Sequence, residues 1–358
     1  MSRAVRATIN LSALTHNWGK VREFAPRSQR LAVVKADAYG HGSVRVARAL
    51  AAADGFGVAS IDEALALREA GITAPICLLS GFQEPAELAL MARHAVGSAV
   101  HESAQLDALD AARLEHPVTM WLKIDSGMHR LGFAPERVSA ALARLRSASA
   151  VGDLRLMSHL ANADDTTDEY TRTQLKCFLD TVVKYEYPRS IANSAAIMAW
   201  PDTHLDWVRP GIMLYGASPL LGRGAAELAL EAVMTLGSKI IAVQALKPGD
   251  PIGYGGDWVC PSAMRVGVVA CGYGDGYPRH APSGTPVWIE GRSAPLVGRV
   301  SMDLISVDLS GHPQAGVGTP VELWGTHLPV DTVAGHAGTI AYELLCGVAA
   351  RVRRETAA

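Results

Sequence analysis

Along the first two thirds of the chain, short β-branched and apolar runs alternate with alanine- and leucine-rich segments whose apolar positions recur at helical spacing. That alternation predicts βα units feeding a parallel sheet. Eight such runs are counted, over residues 31–36, 55–60, 76–80, 96–100, 118–125, 154–160, 190–194 and 207–215. Between them helices are expected at 61–70, 84–93, 102–115, 135–146 and 168–184, the first opened by Ser60 with Glu63 at capping-box spacing. Eight strands with intervening helices imply an α/β fold with an N-terminal (β/α)8 TIM barrel. An open doubly wound sheet is the alternative, disfavoured by the count and by the lack of GxGxxG after the first run.

Past about Leu230 the helical periodicity fades, and β-branched runs separated by Gly and Pro take over, at 237–245, 264–270, 285–289, 294–297, 304–309 and 319–323. A C-terminal mostly-β domain is expected there. The linker is placed at 222–225, dividing the chain into 1–225 and 226–358, with residues 1–11 free to pair with the β domain instead of entering the barrel. A last helical segment is expected near 340–346, and no internal repeat is seen.

Charge and cysteine usage narrow the function classes. With 33 basic and 35 acidic residues among 358, the net charge of -2 gives no reason to expect nucleic acid or a membrane surface as partner. A small-molecule ligand is expected instead. Neither a signal-peptide core nor a run of membrane-spanning length is found, so a cytoplasmic location is expected. Cys77, Cys177, Cys260, Cys271 and Cys346 are scattered, without disulfide or metal spacing, and are expected to be buried thiols. No HExxH occurs, and no metal is expected.

The first run delivers Lys35 directly after the apolar stretch 31–34 and into a glycine-rich loop. A cation so placed must be paired, shed its proton or be covalently occupied; pairing with Asp37 is the ordinary reading. In a barrel, however, chemistry sits at the C-terminal strand ends, and the residues ending these runs form a set. Lys35 is followed by Tyr39, strand five gives Lys123 and runs on to Arg130, and strand six gives His159. Strand seven ends in Asn193 and Ser194, and strand eight carries Arg209, Gly211 and Ile212. Singly, each has a structural explanation: a core histidine, a helix cap, an arginine paired with Asp206. Together they make a basic pocket for an anion. The end of strand seven and the Gly211–Ile212 backbone match the usual barrel phosphate site. A phosphate beside a buried lysine points to pyridoxal 5'-phosphate, whose aldehyde forms a Schiff base with an amine of lowered pKa. Arg209 is then placed to contact the pyridine nitrogen, donating without giving up its proton. Two glycine-rich clusters in the β domain, around Tyr254 and Tyr273, read by themselves as turns with aromatic plugs.

The segments AVVKADAYGHG, KIDSGMHRLG, RPGIMLYG, IGYGGDW, GYGDGYPR, GRVSMD and TIAYELLC, in that order, resemble the signatures of the alanine racemases, fold-type III pyridoxal phosphate enzymes. The resemblance spans nearly the whole chain and implies racemisation of L- and D-alanine by two bases, supplying D-alanine for peptidoglycan or serving alanine catabolism. It implies that Lys35 carries the cofactor and acts on the D face, while Tyr254 of the partner subunit acts on the L face. His159 and Arg209 would support the tyrosine. Arg130 and the Met302 amide would hold the substrate carboxylate, and Lys123 matches a lysine often carbamylated in the family. Tyr39, Ser194, Gly211, Ile212 and Tyr342 match phosphate-binding positions. Tyr273, Arg279, Arg299, Asp303, Ile340 and Tyr342 match the substrate entrance. Residues matched across an interface imply a head-to-tail homodimer. The rivals are a broad-specificity amino-acid racemase, a non-catalytic pyridoxal-phosphate-binding barrel without a β domain, and a barrel-plus-β decarboxylase.

Overall fold

The computed structural model describes residues 4–357; the first three residues and the last, which fall inside the expected domain bounds, lie outside the described residues. A first strand, β1 (Arg6–Ile9), leads into a helix over Leu11–Phe24 capped by the Asn10 side chain, which accepts from the Ala13 amide. Eight parallel strands then close into a barrel: β2 (Gln29–Val33), β3 (Gly55–Val58), β4 (Ile76–Leu78), β5 (Val96–Val100), β6 (Val118–Lys123), β7 (Val151–Met157), β8 (Arg189–Ser190) and β9 (Trp207–Val208). Closure comes from β2 pairing with both β3 and β9.

Leu31, Cys77, Ala99, Trp121, Met157 and Trp207, all strand residues, form a cluster of their own that fills the barrel interior. Two indoles need space, and β3 provides it. A Cβ on Gly55 would stand 2.9 Å from Leu31 Cδ1, and one on Gly57 2.8 Å from Leu79 Cδ1. The Arg155 guanidinium lies over both tryptophan rings, 4.9 and 4.5 Å from their centroids, a geometry that favours a cation.

Seven of the eight expected strands end early, and at three of them the backbone is diverted from the ladder at the rim. The seventh and eighth runs shrink to two residues each. Asn193 instead caps a short helix, Ser194–Ala199, and Ile212–Tyr215 winds into a 3-10 turn. The first run stops at Val33, and Ala36, Asp37, Ala38 and Tyr39 follow with φ of 51–54° and ψ of 43–52°. This is one turn of left-handed helix without a glycine among those four residues. Such a conformation costs roughly 1–2 kcal/mol per residue, so on the order of 4–8 kcal/mol here. The expected helix at 135–146 is split into a 3-10 turn, Pro135–Arg137, and a helix over Val138–Ser147. Of the five free thiols, Cys77, Cys260 and Cys271 are buried; Cys177 is half-buried and Cys346 exposed, contrary to expectation, because both lie on helices with one open face.

The mostly-β domain is built on the long strand β10 (Met234–Leu246), which carries β1 and β17 (Pro320–Trp324) along one half and β13 (Met264–Val269) along the other. Outward from these lie the hairpin β14 (Pro286–Ile289) with β15 (Arg292–Pro295), then β16 (Ile305–Asp308) and β18 (Arg353–Thr356). A separate hairpin, β11 (Pro251–Ile252) with β12 (Trp258–Val259), carries Tyr254 at its tip. The sheet therefore holds β1 between β10 and β18, although the barrel separates β1 from both in the chain. No helix among the described residues is long and apolar enough to cross a membrane.

The left-handed turn is the seam between barrel and β domain. Gly40, at φ +78°, closes it so tightly that a Cβ would run into the Leu345 carbonyl of the helix Ala341–Cys346. Arg354 Nε donates to Gly40 O at 2.8 Å, and Tyr215, stacked on Tyr39, donates its hydroxyl to Val33 O at 2.8 Å. Buried His41 holds the Ala38 and Tyr39 carbonyls through Nδ1, at 2.9 and 2.8 Å; burial pushes its pKa down to about 4, so it stays neutral. Gly40→Ala, which combines a strained φ with a backbone clash, is expected to destabilise the fold by roughly 2–4 kcal/mol. A denaturant melt with an unchanged midpoint would contradict this docking.

Candidate active site

At the C-terminal ends of the barrel strands lies a cavity of about 560 Å³. Its walls include Lys35, Tyr39, Lys123, Arg130, His159, Asn193, Ser194, Arg209, Gly211, Ile212 and Tyr342. Residues widely spaced in sequence are thus brought together by strand ends and by one helix of the β domain. Val33, Ala36, Leu79, Ser80, Leu131, Met157 and Cys346 also line the space, and sequence reasoning singled out none of them for it. Cys346 had a readable signal. It follows Tyr342 by four residues in the helix Ala341–Cys346, so both side chains share one face.

Four cationic side chains, Lys35, Lys123, Arg130 and Arg209, meet here, and no carboxylate is among the lining residues. Lys35 does not pair with Asp37, whose Oδ1 accepts from the Ser43 amide at 2.8 Å. Burial, then the Arg130 charge, lowers the Lys35 pKa. Lys123, unlike the more open Lys35, is buried, and burial with the charges of Arg209, Arg130 and Lys35 pushes its pKa down to about 8. So many like charges in a partly desolvated space call for an anion.

Arg209 is buried and fixed on three sides, donating to Ser190 Oγ at 2.5 Å, Ser158 O at 2.6 Å and Ile191 O at 3.2 Å. Asp206 is not its partner; that carboxylate accepts from the Arg189 amide at 2.7 Å. Burial lowers the guanidinium only to about 10, so it remains charged at neutral pH. Its Nη2 also lies 3.3 Å from His159 Nδ1. Burial, then the Arg209 charge, holds the imidazole well below its ordinary pKa. With Nδ1 accepting from a guanidinium, the neutral ring carries its proton on Nε2.

On another wall, the Gly211 amide donates to Ser194 Oγ at 2.8 Å. A Cβ on Gly211 would sit 2.6 Å from the Tyr39 hydroxyl and 3.8 Å from Ser194 Oγ. The missing side chain leaves a small polar cradle between two hydroxyls and a backbone amide. The hydroxyls are donors a phosphate group takes, Ser194 Oγ accepting from the Gly211 amide and keeping its own proton to give, and a lysine of lowered pKa lines the same cavity. The residues present therefore fit a phosphorylated aldehyde such as pyridoxal 5'-phosphate.

Seven residues singled out in the sequence, Tyr254, Tyr273, Arg279, Arg299, Met302, Asp303 and Ile340, do not line the cavity within one chain. Tyr254, Tyr273, Met302 and Ile340 are 66%, 40%, 53% and 61% exposed, unusual for large apolar side chains. Arg299 pairs with Asp257, and Arg351 ties Asp303 to buried Asp275.

The family model of the alanine racemase N-terminal domain matches residues 9–219, and that of the C-terminal domain matches residues 233–356. The chain is 56% identical to the alanine racemase of Nitrosococcus oceani over 350 residues, 98% of each chain. It is 54% identical to that of Chromohalobacter salexigens, over 99% of this chain and 98% of the relative. Among solved structures, the biosynthetic alanine racemase from Pseudomonas aeruginosa superposes with a TM-score of 0.97 at 48% identity, covering 100% of both chains. The enzyme from Acinetobacter baumannii gives 0.93 at 37% identity, over 99% of this chain and 100% of the other. With both domains matched in order and relatives aligned end to end, the chain belongs to the alanine racemase family of isomerases.

Proposed function

We propose that this protein interconverts L- and D-alanine in the cytoplasm, using pyridoxal 5'-phosphate bound at the barrel mouth. The observation that carries the reading is the cavity itself: four cations without a carboxylate, beside a hydroxyl-and-amide cradle. In this reading the chain divides near residues 225 and 226, the barrel holding the cofactor and the β domain completing the neighbouring site. Tyr39, Ser194, Tyr342 and the Gly211 and Ile212 amides bind the phosphate, Asn193 caps the helix beside them, and Arg209 faces the ring nitrogen. When bound, the cofactor acidifies the α-hydrogen of alanine.

Racemisation needs a base on each face of one carbon. Lys35, whose lowered pKa favours the free amine, serves the D face, and Tyr254 of the partner subunit serves the L face. A phenol with its ordinary pKa of about 10 is a poor base at neutral pH. The neutral His159, with its proton on Nε2 and Arg209 behind it, offers a donor that stabilises the phenolate. Arg130 and the Met302 amide of the partner subunit hold the substrate carboxylate. Tyr273, Arg279, Arg299, Asp303 and Ile340 from the β-domain side and Tyr342 frame an entrance that admits small side chains. The exposed aromatic and aliphatic side chains of the β domain support a homodimer with shared sites. The Pseudomonas aeruginosa enzyme is described as biosynthetic, and we extend that role, D-alanine for peptidoglycan, to this chain.

Lys123 supports one more assignment. A buried lysine with a pKa of about 8 keeps a minor share of free amine at neutral pH, far more than an ordinary lysine, and carbon dioxide adds to such an amine to give a carbamate and a released proton. The resulting anion would orient Arg130 and relieve the charge excess. With 13C-bicarbonate, the protein is expected to show a carbamate carbonyl resonance that Lys123→Ala lacks. The signal should weaken as pH falls through about 8, because protonation removes the nucleophile. An unmodified amine with Arg130 still ordered would remove the assignment.

Purified protein given L-alanine, L-serine and L-lysine should form D-alanine fastest, with no carbon dioxide released from any of them. Absence of D-alanine would overturn the function. Lys35→Ala should abolish covalent cofactor attachment and activity together, and Tyr254→Phe should keep the cofactor but lose most turnover, more severely from L-alanine. Mixing these two inactive variants under conditions of subunit exchange should restore about a quarter of wild-type activity, since half the dimers are mixed and one of their two sites is intact. No recovery would place both bases in one chain.

A further inference from the structure

The left-handed turn that follows Lys35 has a donor at its start that no carbonyl of the turn can satisfy. The first amides of any helical turn lack partners within it, and Ala36 N–H is such an amide. Glu63 supplies the acceptor. Its Oε1 takes the Ala36 amide at 2.7 Å and its Oε2 takes the Ala59 amide at 2.7 Å. Glu63 is itself anchored in the first turn of the helix Ile61–Glu69, its amide donating to the Ser60 hydroxyl at 3.4 Å. The capping-box spacing of Ser60 and Glu63 is thus put to a different use: the carboxylate reaches past its own helix to a neighbouring strand end.

We propose that Glu63 is a positioning residue for Lys35, holding the backbone one residue beyond the lysine so that its amine meets the cofactor aldehyde and the substrate carbon. Val34 already hydrogen-bonds to Gly57 O at 2.8 Å on one side of Lys35. Glu63 fixes the other side, so the lysine is held between two bonds to β3 and its helix. A carboxylate is needed because one side chain must accept from two amides at once. A glutamine offers a single acceptor oxygen and turns its NH2 toward the second amide, donor against donor. The proposal rests on the assignment of Lys35 as the cofactor lysine, and its test separates the two.

The test compares wild type with Glu63→Gln and Glu63→Asp, measuring two things besides turnover. One is borohydride fixation of pyridoxal 5'-phosphate on the Lys35 peptide, followed by mass spectrometry in apoprotein reloaded with cofactor. The other is binding of pyridoxamine 5'-phosphate, which fits the phosphate cradle but has no aldehyde to react with a lysine. In Glu63→Gln, fixation and kcat should both fall by about tenfold to a hundredfold, the penalty expected of a catalytic group displaced by a fraction of an ångström to an ångström. Alanine KM and pyridoxamine 5'-phosphate affinity should stay within about threefold. Glu63→Asp, which keeps the charge but reaches only one amide, should fall between. Fixation at the wild-type rate in Glu63→Gln overturns the proposal. So does a parallel loss of pyridoxamine 5'-phosphate binding or of folded protein, which would make Glu63 a general structural residue. If wild type itself shows no fixation on Lys35, the underlying assignment fails instead.

Discussion

An excess of positive charge at one end of a closed barrel governs this molecule. Lys35, Lys123, Arg130 and Arg209 share a cavity whose walls hold no carboxylate, and such an arrangement persists only because covalent strands and buried hydrogen bonds oppose the repulsion. Arg209 shows how. It spends its donors on Ser190, Ser158 and Ile191, all of them neutral acceptors, which fix the guanidinium while leaving its charge uncompensated. The result is a pocket organised in advance for anions. Phosphate, carboxylate and the carbamate proposed on Lys123 would be three ways of meeting the same demand.

The second constraint is backbone geometry. Four left-handed residues in a row are disfavoured, and the surroundings supply what the turn lacks: Glu63 at its start, His41 within and Arg354 at its close, with Leu345 packed against Gly40. These come from a barrel helix, the turn itself and the β domain. The loop that follows Lys35 is therefore not a local element. It has its shape only when both domains are folded and docked.

Much of this was legible in the sequence because barrels place chemistry at strand ends, so reading the polar residues toward the end of the runs, with Arg209 inside the eighth, collected Lys35, Lys123, His159, Asn193, Ser194 and Arg209, which the fold gathers around one cavity. The left-handed turn was not legible. Ala-Asp-Ala-Tyr contains no glycine to announce positive φ, and the preceding apolar run reads as a longer strand; tertiary contacts override local preference there. The shortened strands over 190–194 and 207–215 have a related cause, since a rim that offers amides to a ligand must withhold them from the ladder. Glu63 was visible as a cap residue, but where its carboxylate goes depends on a strand end 27 positions earlier. Tyr254 stood out by its glycine-rich setting, and a single chain leaves it on the surface.

The pairing of β1 between β10 and β18 has a consequence for how the protein comes into being. The Ala357 amide bonds to Ile9 O at 2.8 Å, so β1 and the segment that follows β18 lie side by side and the barrel is, topologically, an insertion into the β domain. During synthesis β1 precedes the barrel and must wait, unpaired, until β10 follows it, and its other edge stays open until β18 is made. The barrel, whose strands are contiguous in the chain, is able to close before then. Once β1 is in place, two chain crossings, not one, join the domains. A hinge with two pins has fewer ways to turn than a hinge with one, and the loop that follows Lys35 lies at that doubly tethered seam.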